Sequence, residues 1–472
     1  MKNMRLIQMN MTRLIAATAV LAIAGCSELT VPDYNNPSLE DLQTNPTPTK
    51  IAQSAQGLLV GSRLQQGTQN GYVSLLGIVG RESYNFDPAD PRFIVEMLIG
   101  PLDGGSPAFG GNLFGAPYAN IRNANILLAA LDVVAGMSAA QKSATKGYAR
   151  TIQALDYLYV INTRDTYGSP LEVSIAPTGP PAAIASKADI FAHIAKLLDD
   201  GLVELQAGGT AFPFQLSPGF ALPVTDSSDA DGPAASTPAD FAKFNRALKA
   251  RVEAYRGNYA ASLTAVSASF IDTNAPLTLG VYHSYSTGSG DLSNLLFDPT
   301  GRAIVAHPSI RADAERKPDG TLDARALRKT AIIPSRTVQG VSSDLVFTIY
   351  ESNTAPVPII RNEELILLRA EARFFTGNVA GALSDINFIR TTSGGLAARG
   401  AFANAADFTT ELLKQRRYSL MFEGGHRWID ARRFNRLDTL PKALPTHNVH
   451  SRFPFTEAEC LARVPAPAQG CG

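Results

Sequence analysis

Apolar residues recur at spacings of three and four over several long stretches of the chain and lose that rhythm over two others. Helical spacing begins near Thr49 and continues through "IAQSAQGLLVGSRLQ". The stretch 116–134, "APYANIRNANILLAALDVV", puts Ile121, Asn125, Leu128 and Leu131 or Asp132 on one side. Ser138 can cap a second helix, which runs through "AAQKSATKGYARTIQALDYLYVINTRDTYG" and stops at Gly168 ahead of Pro170. Residues 186–206, "SKADIFAHIAKLLDDGLVELQ", form a further amphipathic helix behind a serine cap.

One corner occurs twice. "ARVEAYRGNYAASLTAV" at 250–266 aligns with "AEARFFTGNVAGALSDI" at 370–386, with Tyr255 opposite Phe375 and the Gly-Asn pair in register. Each copy reads as a helical hairpin: an aromatic closes one helix, Gly and Asn turn the chain, and small residues let the next helix approach closely. A hairpin of this kind buries its apolar face only by stacking on another. The pattern therefore predicts a mostly α fold of stacked tetratricopeptide-like helix pairs, with long irregular loops and a few short β-strands.

The rhythm is lost at about 80–115 and 272–360, which are rich in Gly, Pro, Asp, Tyr and Ser and carry short β-prone runs such as "DLVFTIY". Loops of that length inside a body are usually functional. Residues 1–25 carry Lys2, Arg5 and Arg13 ahead of the apolar run "LIAATAVLAIAG", which is too short to anchor a helix in a bilayer and reads as a secretory signal. That run ends in "IAGC", the context in which a bacterial lipoprotein is cut and its cysteine acylated, so Cys26 is the expected lipidation site and first mature residue. Residues 26–48, with four prolines and no period, read as a tether, and 49–472 as one helical domain with loop insertions.

Without its signal the chain carries 39 basic and 42 acidic residues, a balance that argues against nucleic acid as a partner. Cys460 and Cys471 could close a small loop or remain two free thiols.

The C-terminal third holds the most specific pattern. "RNEELILLRAEARFFTGNVAGALSDINFIRTTSGG" and "ELLKQRRYSLMFEGGHRWIDARRF" resemble the two signature blocks of the SusD/RagB family of outer-membrane nutrient-binding lipoproteins. The matching residues are Arg361, Glu364, Ala370, Glu371, Ala372, Gly377, Ala382, Leu383, Ile386, Asn387 and Arg390. Arg416, Arg417, Leu420, Glu423, Gly424, Arg427, Asp430 and Arg433 follow in the second block. Gln415 and Ser419 stand where the family prefers Glu, and His426 is inserted in "EGGHR". The alternating charges from Arg416 to Arg433 are expected on one helix, as bidentate Arg–carboxylate pairs that fix how the last helices dock. A competing reading, an anionic-ligand site made of these arginines, is weakened by the interleaved acids. Trp428, the only tryptophan, is expected in the core.

The resemblance implies a lid-like binding protein of the outer membrane. It would be held by fatty acids such as palmitate on Cys26, facing outward, and would capture a glycan or peptide and pass it to a TonB-dependent transporter. The resemblance carries no ligand contacts over. Composition of the loops nominates Arg81, Tyr84, Asn85, Phe86, Asp87, Phe109, Asn112 and Phe114 in the first, and Tyr282, Tyr285 and Tyr350 in the second. No loop tryptophan is present, which disfavours a starch-like platform. Catalysis finds no support: no nucleophile elbow, phosphate loop or cofactor motif appears, and His447 and His450 are a weak metal pair. "SSDADG" at 227–232 begins like a calcium loop, but its twelfth position is Pro238. Two alternatives are a secreted hydrolase on a helical scaffold and a pure assembly protein.

Overall fold

The computed structural model describes residues 39–105, 112–173, 179–220, 237–467 and 469–471. Cys26, Phe109 and the 227–232 segment lie outside them. Twelve helices of six residues or more carry the frame among the described residues: α1 Leu39–Thr44, α2 Pro48–Arg63, α3 Tyr72–Val79, α4 Asn112–Val133, α5 Ala139–Arg164, α6 Lys187–Gln206, α7 Pro238–Arg256, α8 Tyr259–Ser267, α9 Asn362–Phe375, α10 Val379–Thr392, α11 Ala405–Ser419 and α12 His426–Arg433. Helical structure thus begins inside the stretch expected to be tether. Leu42 of α1 is buried in the main core, and the Thr47 side chain caps α2.

Local chemistry accounts for the helix ends. Ser138 and Gln141 form a reciprocal capping box at the start of α5, and the Ser186 side chain accepts from Asp189 N at the start of α6. Neighbouring helices pack as pairs, α4 on α5, α5 on α6, α6 on α7, α7 on α8 and α9 on α10. Where α5 meets α6 the backbones nearly touch: a Cβ on Gly147 would lie 2.7 Å from the Gly201 carbonyl oxygen. Only glycine permits that approach.

The repeated corner has the same backbone in both copies. Gly257 and Gly377 have φ of 76° and 90°, and Asn258 and Asn378 share φ −85° and ψ 66°. The Asn258 and Asn378 amides donate to Glu253 O and Arg373 O, five residues back in each case. The two hairpins stack on each other, and Tyr259 lies against Phe375 with ring centroids 4.7 Å apart.

Eight short strands pair in antiparallel twos: β1 Ser83–Asn85 with β5 Ile304–Ala306, β2 Ser169–Pro170 with β3 Ile184–Ala185, β4 Gly280–His283 with β8 Val357–Arg361, and β6 Thr330–Val338 with β7 Val341–Phe347. The β1–β5 ladder thereby joins the two long insertions to each other, and β4–β8 and β6–β7 fold the second on itself. A second core of Tyr285, Ile304, Leu345, Phe347, Tyr350, Tyr418 and Phe422 fills the space beneath them. Cys460 and Cys471 form a disulfide that closes the C-terminal segment over Phe114, Val160 and Phe455.

Candidate functional site

Seven of the nominated loop residues are buried and anchor their loops. Arg81, Tyr84, Asn85, Phe86, Tyr282, Tyr285 and Tyr350 are all buried. Arg81 donates to the carbonyls of Ile78, Val79, Pro441 and Asn448, tying the first insertion to the C-terminal segment. The Tyr84 hydroxyl lies 2.9 Å from His307 Nε2, Tyr350 donates to Phe422 O at 2.9 Å, and Tyr285 donates to Arg63 O at 3.4 Å. Tyr282 donates to Thr278 O, and Asn85 Oδ1 accepts from Asp87 N. Phe86 stacks on Tyr84 with the Arg336 guanidinium 5.7 Å from its ring centre. Each tyrosine spends its apolar face on the core and its hydroxyl on a hydrogen-bond partner, most of them distant in sequence. Asp87 is half-buried and accepts from Ala89 N within its own turn, Phe114 is buried in the satellite core beside the disulfide, and Asn112 is the first residue of α4.

The signature charges form the expected network, but on two helices. Phe422 and Gly425 take φ of 55° and 70°, which ends α11 and restarts the chain as α12. Phe422 is held there by stacking on Phe347 at 4.1 Å and by donating its amide to Glu82. Glu371 of α9 then pairs with Arg416 of α11 at 2.7 Å and with Arg433 of α12 at 2.6 Å. Asp430 pairs with the same two arginines at 3.1 and 2.7 Å. Glu423 receives Arg361 and Lys329, and Glu364 receives Arg251 at 2.6 Å. Burial pushes the Glu363 carboxyl up, but Arg361, Lys329 and Arg325 more than offset it and hold it at about 2. Gln415 and Ser419 serve the same frame, donating to Glu411 at 2.7 Å and Glu363 at 2.6 Å. Trp428 is fully buried and donates to His450 O.

Beside this network lies an open cleft of about 600 Å³. Its walls are α11 (Thr410, Leu413, Lys414, Arg417), α12 (Arg427, Ala431), the turn carrying Ser309 and Asp313, and the segment from Arg436 to Pro441. Arg417 bonds to Asp313 at 2.8 Å and to Ser309 Oγ at 2.7 Å. Lys414 reaches Glu315 at 3.0 Å. A second open groove, about 360 Å³, is lined by Phe114, Tyr118, Arg122, Glu172 and Arg463.

The cleft's acids are engaged in ion pairs. Its carboxylates are Asp430, clamped by two arginines, and Asp313, held by Arg417. Two carboxyls are pushed up to about 7, chiefly by burial, Glu82 and Asp156, and both side chains are buried. Among the described residues no cluster of three or more His, Cys, Asp or Glu could hold a metal ion. His447 and His450 both lie near the Arg81 guanidinium, a poor place for a cation. Ser309, Asp313 and Arg436 carried no recognisable signal in sequence, because they reach the cleft from turns with no period.

Comparison with known proteins bears on this frame. The sequence model of the SusD family matches residues 337–458, the segment that holds both signature blocks. That segment is similar to the SusD family. The fold agrees along most of its length. A SusD-like carbohydrate-binding protein from Bacteroides fragilis NCTC 9343 superposes with a TM-score of 0.62 at 15% identity, covering 82% of this chain and 86% of that one. A SusD superfamily protein from Bacteroides fragilis gives 0.60 at 18% identity, with 83% and 90% covered. A laminarin-binding SusD-like protein gives 0.51 at 16% identity, with 84% and 95% covered. No curated protein matches the sequence. The stacked helix pairs thus follow the fold of these SusD-like structures, and the Arg–carboxylate lock lies in the segment the family model matches.

Proposed function

We propose that this SusD-family chain is a binding protein for an oligosaccharide nutrient, anchored to the outer membrane through acylated Cys26, and that it hands its ligand to a TonB-dependent transporter. The observation that carries the reading is the family frame with an open polar cleft whose carboxylates are all engaged by arginines. The carbohydrate-binding and laminarin-binding relatives support a glycan over a peptide. A rigid helical body with loops knitted down by buried tyrosines suits a protein that must present a surface without changing shape. Among the described residues no helix is long and apolar enough to cross a membrane, so attachment rests on the lipid.

A glycan array followed by calorimetric titration tests the binding. At least one oligosaccharide is expected to bind and to be recovered uncleaved. Purification from native membranes is expected to bring a TonB-dependent barrel with it, and Cys26→Ser is expected to release the protein from the membrane fraction. Absence of glycan binding together with absence of a barrel would remove the uptake reading.

A further inference from the structure

The geometry points to a ligand carrying carboxylate groups: the cleft between α11, α12 and the 436–441 segment takes an acidic oligosaccharide, with Arg427 and Arg436 as its anion contacts. This deepens the glycan-binding reading and rests on it.

The other signature arginines have acids to meet. Arg361, Arg390, Arg416 and Arg433 each face a carboxylate at 2.5 to 3.1 Å. Arg427 lines the cleft and has no ion pair among the described residues; its guanidinium donates to the backbone carbonyl of Arg81. Arg436, half-buried on the opposite wall, likewise has no side-chain partner among the described residues. Of the remaining cations in the cleft, Arg416 is neutralised by Asp430 and Glu371, Lys414 by Glu315 and Arg417 by Asp313. Arg427 and Arg436 are left without a paired carboxylate, and Glu82 and Asp313 act on Arg427 only from a distance.

Their arrangement costs energy as it stands. Burial and then the neighbouring Arg417 push Arg427 down to about 9, and Glu82 and Asp313 offset this only in part. Arg417 adds a buried Nε with no acceptor. An anion seated between these groups would relieve the repulsion and satisfy the donors. The guanidinium fork matches the two oxygens of a carboxylate. Leu413, Ala431, Leu440 and Pro441 supply an apolar strip for the C–H face of a sugar ring, and about 600 Å³ accommodates a short oligosaccharide.

Calorimetric titration of the mature chain with three probes tests this: a galacturonate trisaccharide, the neutral galactose trisaccharide and triglutamate. The galacturonate probe is expected to bind at least about tenfold more tightly than either other probe, the worth of one charge-assisted hydrogen bond, and more weakly as sodium chloride rises. Arg436→Gln, on a turn outside the core, is expected to weaken it by a similar factor with an unchanged melting temperature. Asp313→Asn, which removes the competing acid, is expected to tighten it. Equal binding of the neutral sugar, or no effect of Arg436→Gln, overturns the acidic-ligand inference and leaves the uptake reading standing. Preference for triglutamate overturns the inference and turns the reading toward peptides, and binding of no glycan on the array removes both.

Discussion

Gly377 shows how one position fixes a corner. Its φ of 90° lies where side-chain-bearing residues are strained, yet nothing lies within 4 Å of the place a Cβ would occupy. Gly377→Ala therefore strains the backbone without a clash and should cost about 1 kcal/mol, read as a lower urea midpoint; an unchanged or higher midpoint would contradict the reading. Glu82 makes a pH-dependent contribution. Burial raises its carboxyl from 4.5 to about 7 in the folded chain. Below pH 4.5 both states hold the proton and no penalty exists. As pH rises from 4.5 to 7 the unfolded chain releases the proton first, so the folded state loses stability, by about 3 kcal/mol at pH 8. Glu82→Gln does not titrate, and its stability relative to the parent should climb between pH 5 and pH 8. A difference that stays flat across that window contradicts the burial argument. At this scale the sequence was least informative about the tyrosines. Aromatic residues in a Gly- and Pro-rich segment are as compatible with pinning the loop as with facing a ligand. The choice depends on long-range partners such as His307 for Tyr84 and Phe422 for Tyr350.

Helices were legible where period and cap agreed. The serine caps at 138 and 186 and the Gly-Asn corners at 257 and 377 are local chemistry, and the structure keeps all four. The β-prone run at 344–350 overlaps β7, but the pairings were not legible, since β1 pairs with β5 and β4 with β8 across long separations that a short window cannot see. The single helix expected from 416 to 433 broke because Phe422 and Gly425 leave the helical region, and Gly425 packs where a Cβ would meet Leu76 at 2.4 Å. The Arg–carboxylate lock is the element that decides how α9, α11 and α12 dock. Glu371→Gln leaves Arg416 and Arg433 sharing only Asp430 in a buried site. Loss of one partner of such a network should cost about 3 to 5 kcal/mol, measured by chemical denaturation with helix content by circular dichroism as a check on folding. A loss under about 1 kcal/mol would mean the network is dispensable to docking.

Across the whole molecule, a stiff stack of helix pairs carries two insertions joined to each other by a short ladder, with one large cleft left open beside the charge lock. That division of labour was partly readable: the frame and the family followed from residues 361–433, while the cleft draws on turns scattered from Ser309 to Pro441 and exists only in three dimensions. The most direct measurement is titration of the mature chain with the array-selected oligosaccharide, with mass analysis of the sugar afterwards. The account predicts saturable binding, weakened by Arg436→Gln for acidic sugars, and a ligand recovered intact. A sugar returned in fragments, or a full panel of glycans with no heat of binding, would contradict it.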